Sequence, residues 1–237
     1  MKNAGIGLVV ASLSIAVCSC TTPTGTHVKL NPSALSRVRT LGVCVKTNDS
    51  FSVYMSRDRM TGAGAVLGGL IGAGIEAGVR SSEDERILKK VRPSLGDFDV
   101  KVALATNLEQ QLQQTGLFSE VRLLDSTDHR SMKNAGVDAV LEVVVLQWGL
   151  IVCSATSMDD RLQADIIARE RLFTATDNRK FWERDETHLD GECHVAYEFE
   201  TKPELLRQVI NRAVDAVAGR TANEIHYPQA DAKGNSQ

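Results

Sequence analysis

No long basic run occurs anywhere in this 237-residue chain, whose 27 Lys and Arg are set against 30 Asp and Glu for a formal charge of -3. That balance argues against a dedicated nucleic-acid binder, which carries a basic stripe. No Gly-Lys-Ser/Thr phosphate loop is present. No Cys-x-x-Cys pair or Ser/His/Asp elbow stands out either, so the usual signatures of nucleotide, thiol-redox and serine chemistry are missing. Tandem repeats are absent as well. Aromatics make up 5% of the residues, and the composition excludes collagen, coiled coil and wholesale disorder. What remains is ordinary: 43% hydrophobic residues in a length that suits one α/β domain with appendages. The 18 glycines are the exception to this evenness. Seven of them fall between Gly62 and Gly78.

The N-terminus has the form of an export signal. Lys2 supplies a short positive region, and Ile6–Val17 is apolar but too short to span a bilayer comfortably. The stretch ends in Val17-Cys18-Ser19-Cys20, which resembles the lipobox of bacterial lipoproteins. An aliphatic residue stands three before Cys20 and a small residue directly before it, whereas Cys18 follows the branched Val17. Cys20 is therefore the expected lipidation site, its sulfur being the nucleophile that forms a thioether to diacylglycerol, with palmitate-type acylation to follow. The alternative is a plain cleaved signal with incidental cysteines. By the same resemblance Thr21, in place of aspartate, favours the outer membrane. The expected organisation is signal peptide 1–19, tether 20–37, periplasmic domain 38–228 and a disordered tail 229–237. Three cysteines remain after Cys20. In an oxidising compartment they allow at most one internal disulfide, with Cys153–Cys193 the chosen pair and Cys44 a small core residue.

Periodicity predicts the elements of that domain. Val38–Lys46 reads as a strand, and Asn48–Met60 as irregular. Arg80–Gly96 reads as a charged stretch ending in a turn. Val100, Leu104, Leu108 and Leu112 form a helical stripe closed by Gly116. Leu117–Leu124 is a short strand and Ser126–Asn134 a short helix. Asp138–Trp148 is a strand buried on both faces. Leu162–Thr176 and Arg179–Leu189 form a hairpin about Asp177-Asn178, with Trp182 packed on the sheet. A final helix begins at a Thr201-x-x-Glu204 capping box with Pro203 in its first turn. The expected fold class is α/β: a two-layer or three-layer-like sandwich of a mixed sheet with two main helices, plus an inserted glycine-zipper helix.

Leu41–Lys46, Val100–Gly116, the phrase Thr115-Gly116-Leu117-Phe118-Ser119-Glu120-Val121 and Gly136-Val137-Asp138-Ala139-Val140-Leu141 follow one another in a telling order. In that order they resemble the periplasmic α/β domain of curli-secretion-type lipoproteins and of the N-terminal part of the Tol translocation protein. The glycine-rich insert after the first strand is also similar to a group of proteobacterial glycine-zipper lipoproteins. The resemblance implies a fold, and function does not follow from fold alone.

Within the insert 61–79, Gly64, Gly68 and Gly72 stand four apart, and Gly74 and Gly78 repeat the interval. On a helix they would form a flat stripe that lets another helix approach closely. In water each glycine costs a helix about 0.5–1 kcal/mol, whereas in lipid the backbone must satisfy itself internally. Glu76 opposes insertion unless it lies near an end or is paired. Three readings stand: a helix inserted in or resting on the membrane and self-associating, a zipper packed on its own domain or a sister chain, or a flexible loop. Gly72-x-Gly74-x-x-Ala77 matches a loose dinucleotide fingerprint, but it does not directly follow a strand as that motif requires.

His188, Asp190, Glu192 and His194 alternate in HLDGECH and would share a face of a straight strand. They are a conceivable zinc ligand set, but Gly191 bends the chain and no third segment converges. A solvated strand face is the expected account. No metal and no cofactor are assigned, and no catalytic residue is named. The expectation is a non-enzymatic, lipid-anchored envelope protein acting in assembly. It would be a self-associating or accessory component of an outer-membrane transport or secretion complex. Its partners would be membrane lipid through Cys20, copies of itself or envelope subunits, and no nucleic acid. The competing expectation is a periplasmic small-ligand or metal-binding lipoprotein.

Overall fold

In a computed structural model of the protein, residues 28–47, 50–54, 82–154 and 161–227 are described. Among them a mixed sheet of seven strands carries six helices. The strands are β1 (Thr40–Thr47), β2 (Ser52–Tyr54), β3 (Glu120–Leu123), β4 (Ala139–Ser154), β5 (Arg161–Thr174), β6 (Lys180–Leu189) and β7 (His194–Val195). The main order is β3-β1-β4-β5-β6, with β2 also on β4 and β7 also on β5. Pairs among β1 to β4 are parallel, whereas β5 is antiparallel to both β4 and β6. The helices are α1 (Pro32–Leu35), α2 (Ser82–Val91), α3 (Val100–Gln114), α4 (His129–Ala135), α5 (Ala196–Thr201) and α6 (Pro203–His226).

The α/β class holds, and strand alternation decides the layering. Leu41, Val43 and Val45 of β1 and Leu141, Val143 and Val145 of β4 point to one face, where the main core lies. On that face α3 and α6 pack side by side, α3 over β1 and β3, α6 over β5 and β6. Leu104, Leu108 and Leu112 of α3 are fully buried, as are Leu206, Val209, Ile210, Ala213 and Val217 of α6. Asp99 caps α3, its Oδ1 accepting from the N–H of Lys101 at 2.9 Å. Gly116, just past the C-cap residue Thr115, has φ +68°, a conformation only glycine adopts without strain. The opposite face holds a smaller cluster of Cys44, Leu124, Met132, Val137, Val140 and Ala175, which includes the one buried residue of α4. The result is a two-layer sandwich with a short third-layer patch.

Several expected elements form. The hairpin turns at Asp177-Asn178, with Asn178 at φ 54° and the Asp177 carboxylate accepting from the Arg179 N–H at 3.2 Å. Trp182 is fully buried. The disulfide joins Cys153 to Cys193, and Cys44 is a buried free cysteine in β1.

Other expectations are corrected. Arg80–Gly96 contains α2 and a following 3-10 turn, Arg92–Leu95, because Ile87, Val91 and Leu95 stand four apart and are buried amid charged neighbours. Inside the supposedly irregular 48–60, β2 pairs with β4, and it lies so close that a Cβ on Gly149 would sit 1.9 Å from the Ser52 carbonyl oxygen. The Thr201-x-x-Glu204 box does not cap α6. Lys202 occupies the N-cap without a side-chain bond, and the Thr201 hydroxyl donates to the Tyr197 carbonyl at 3.0 Å within the unforeseen α5. Pro203 does sit in the first turn of α6. The last part of the expected tether is also docked: Asn31 caps α1, and Leu35 and Val38 enter the core.

Candidate anchoring and docking site

Cys20, Gly64, Gly68, Gly72, Gly74 and Gly78, and the tail 229–237, lie outside the described residues. The structure places their flanks instead. Val28, the first described residue after Cys20, exchanges two backbone hydrogen bonds of 3.0 Å with Glu183 on the free edge of β6. Asn31 donates its N–H to the Phe181 carbonyl at 3.3 Å, and its Oδ1 accepts from Ser33 and Ala34 at 3.0 and 3.2 Å. This is the end of the sheet where β4 begins and the β5–β6 turn lies. The glycine segment's flanks lie elsewhere. Tyr54 pairs with Ile151, and α2 packs against β2. In register, Glu183 faces Arg171 and Arg171 faces Glu142. Along β4, Glu142 and Ile151 are roughly 25–30 Å apart at ~3.3 Å per residue. The two flanks therefore sit at opposite ends of the sheet.

At the tether end a cleft of about 490 Å³ is lined by Lys29, Arg37, Asp138, Arg179 and Lys180, with Val28, Val38 and Phe181 among its apolar walls. Its one carboxylate is engaged by the backbone. Asp138 Oδ2 accepts from the N–H groups of Arg39 and Thr40 at 2.8 and 2.9 Å, which ties the start of β1 to the start of β4. Lys180 pairs with Glu183. Among the described residues the exposed guanidinium groups of Arg37 and Arg179 make no ion pair, although the Arg179 charge acts on the nearby Asp177 carboxylate. The cleft is thus cationic, and no sequence motif announced it, since its cations come from three separate segments.

The four residues read from the sequence as a conceivable ligand set do not converge. β6 ends at Leu189, and Asp190 Oδ2 and Glu192 Oε2 both accept from Arg212 of α6, at 2.9 and 2.8 Å. His194 stands 3.6 Å from both Glu192 and Glu198, its ring edge-on to Phe199. His188 faces α6, where burial and then the Arg220 charge hold its pKa below the ordinary histidine value. Among the described residues no group of three or more His, Cys, Asp or Glu could hold a metal ion. The expected solvated strand face is corrected too, because Arg212 ties this stretch to α6. The nearby disulfide joins it to the end of β4.

Two buried charge networks escaped the sequence reading. On the face opposite the helices, Glu142 is paired with Lys46 at 2.5 Å and with Arg171. Beneath α6, Glu170 is bound by Arg184 at 2.7 Å and by the Thr221 hydroxyl at 2.6 Å. Asp165 is buried with a single bond from Gln147 at 2.8 Å, and burial pushes its pKa up to about 6. The register of β5 on β6 sets Glu170 opposite Arg184 and that of β4 on β5 sets Glu142 opposite Arg171, pairings that no local pattern announces.

No protein-family model matches the chain, and no curated protein sequence matches it. Solved structures do resemble it in fold. A PelC dodecamer from Paraburkholderia phytofirmans aligns over 86% of this chain and 96% of its own, at 12% identity and TM-score 0.37. A DUF330-family protein from Xanthomonas campestris aligns over 84% and 90%, at 12% identity and TM-score 0.45. A minor lipoprotein from Acinetobacter baumannii aligns over 56% and 86%, at 13% identity and TM-score 0.37. These likenesses are distant, and the functional reading rests on the chain's own residues.

Proposed function

We propose that the protein is a lipid-anchored component of the bacterial envelope, held through Cys20 at the outer membrane with its domain in the periplasm. Its role is assembly rather than catalysis, as a self-associating or accessory component of a transport or secretion complex. The observation that carries this reading is Val17-Cys18-Ser19-Cys20 at the end of an apolar export segment, seven residues ahead of a domain that begins at Val28. The Cys153–Cys193 disulfide supports it, since such bonds persist in oxidising compartments. The resemblance of Leu41–Val145 to curli-secretion and Tol domains belongs to the same reading.

The position of the glycine flanks bears on what the zipper does. With Cys20 in the lipid, Tyr54, the last described residue before the glycine segment, lies at the far end of the sheet. That favours contact between chains over insertion into the anchoring bilayer. No described helix is long and apolar enough to cross a membrane. The second reading, a metal or small-ligand binder, is weakened by the engagement of Asp190 and Glu192 with Arg212.

The test is labelling with a lipid precursor in the native host. Label is expected on the wild-type chain and absent from Cys20→Ala, which should also leave the membrane fraction. Label retained in Cys20→Ala, or none in the wild type, would sink the anchor.

A further inference from the structure

We infer that the cationic cleft at the tether end is the face the domain presents to its membrane, where Arg37 and Arg179 bind the phosphates of anionic phospholipid headgroups. This rests on the lipid-anchored reading. Three observations carry it. The first is charge: among the described residues Arg37 and Arg179 are exposed and make no ion pair, Arg179 acting only at longer range on Asp177, and Lys29 and the Glu183-paired Lys180 line the same cleft. Among the described residues the one carboxylate lining the cleft, Asp138, already accepts two backbone N–H groups through one oxygen. A guanidinium is the side chain whose planar fork matches a phosphate.

The second is reach. Val28 and Lys29 belong to the cleft wall. Eight residue steps separate Cys20 from Val28, so the cleft stays within roughly 28 Å of the lipidated sulfur even at ~3.5 Å per step. The cleft is thus confined beside a phosphate-bearing surface whether or not it binds there. The third is direction. The domain meets its tether at this end and at no other described point, so a headgroup contact here stands the sheet upright. Tyr54 is then carried away from the lipid by the length of β4. Headgroup binding would hold the domain in one orientation on the membrane.

The test uses the whole exported chain carrying Cys20→Ala, so that binding reports the cleft and not the anchor. Sedimentation with vesicles of phosphatidylglycerol in phosphatidylcholine is compared with pure phosphatidylcholine, in the presence and absence of inorganic phosphate. Binding to the anionic vesicles is expected to exceed binding to the neutral ones and to fall as salt rises. Removing one arginine should weaken it about five-fold, and Arg37→Ala with Arg179→Ala about thirty-fold, from the usual contribution of a basic residue near an anionic surface. Both side chains are exposed, so the melting temperature should not move. Lys89→Ala, on α2 at the far end, should bind as before. Equal binding of the double variant, or equal binding to neutral vesicles, overturns the inference. So does saturable binding of inorganic phosphate by a chain that ignores anionic vesicles. None of these outcomes depends on whether Cys20 is lipidated, which the labelling experiment reads separately.

Discussion

The two ends of the sheet are held together by different means. At the tether end most ties are short in sequence or made to backbone, the Glu142 pairs with Lys46 and Arg171 aside. Asn31 caps α1, Asp177 and Asn178 close the hairpin, and Asp138 gathers two N–H groups. At the far end β4 shifts register between Val145 and Gln147 and again between Val152 and Ser154, and the partners there are the short strands β2 and β7. The ties are correspondingly long: a disulfide across 40 residues, and Arg212 reaching back to Asp190 and Glu192. Where irregular strands leave the ladder incomplete, closure comes from covalent and ionic links between distant segments.

Breaking the disulfide should therefore separate the ends most sharply. Closing a loop of this size stabilises by about 4 kcal/mol in the chain-entropy account. The Cys153→Ala/Cys193→Ala protein is expected to lose about 2–4 kcal/mol in denaturant melts, with the reduced wild type behaving likewise. Hydrogen exchange should quicken first in β7 and the end of β4, while β1 and the start of β4 stay protected. Uniform loss of protection along β4 would show that the far end is not a separate unit.

Asp165 sharpens the comparison by pH. It pairs with Gly149 and Leu189 in the far half of the sheet, and among the described residues its Oδ1 has no hydrogen-bond partner. Burial raises its pKa to about 6, with the Gln147 bond opposing the rise. The folded state thus holds this proton more tightly than the unfolded chain, whose aspartate titrates near its ordinary value. The stability gained from the proton is complete below about pH 4 and is lost as pH rises through about 6. Asp165→Asn should melt like wild type at about pH 4 and be more stable by about 3 kcal/mol at about pH 8. A variant less stable than wild type at both pH values would mean that the ionised carboxylate is satisfied.

The same contrast explains what could be read in the chain. Features of the tether end are local, and they were legible: the β1 pattern, the Asp177-Asn178 turn, the Gly116 stop and the stripe of Leu104, Leu108 and Leu112 each declare themselves within a few residues. So was the cysteine pairing, because few cysteines remained to choose from. The far end was largely illegible. β2 and β7 exist only because β4 and β5 offer them edges, and α2 hides Ile87 and Val91 among charges. Thr201 satisfied a capping pattern on paper, but α5 claimed its hydroxyl first. The cleft was equally hidden, since Lys29, Arg37, Arg179 and Lys180 meet only after β6 has paired with Val28.

The smallest of these effects tests the tether end itself. Asp138 is exposed, yet its carboxylate bridges the first residues of β1 to the first residue before β4. Its own carbonyl accepts from Ala175, and its N–H donates to Thr40, so the backbone already joins these strands without the side chain. Asp138→Ala should therefore cost only about 1 kcal/mol, the typical net worth of such bonds where water can replace them. It should also leave the far end's exchange rates untouched. Because it removes the one negative group lining the cleft, the same substitution should strengthen binding to anionic vesicles while weakening the fold. A purely structural aspartate would lower both together, so opposite signs from one substitution would tie the local chemistry of this end to the membrane it faces.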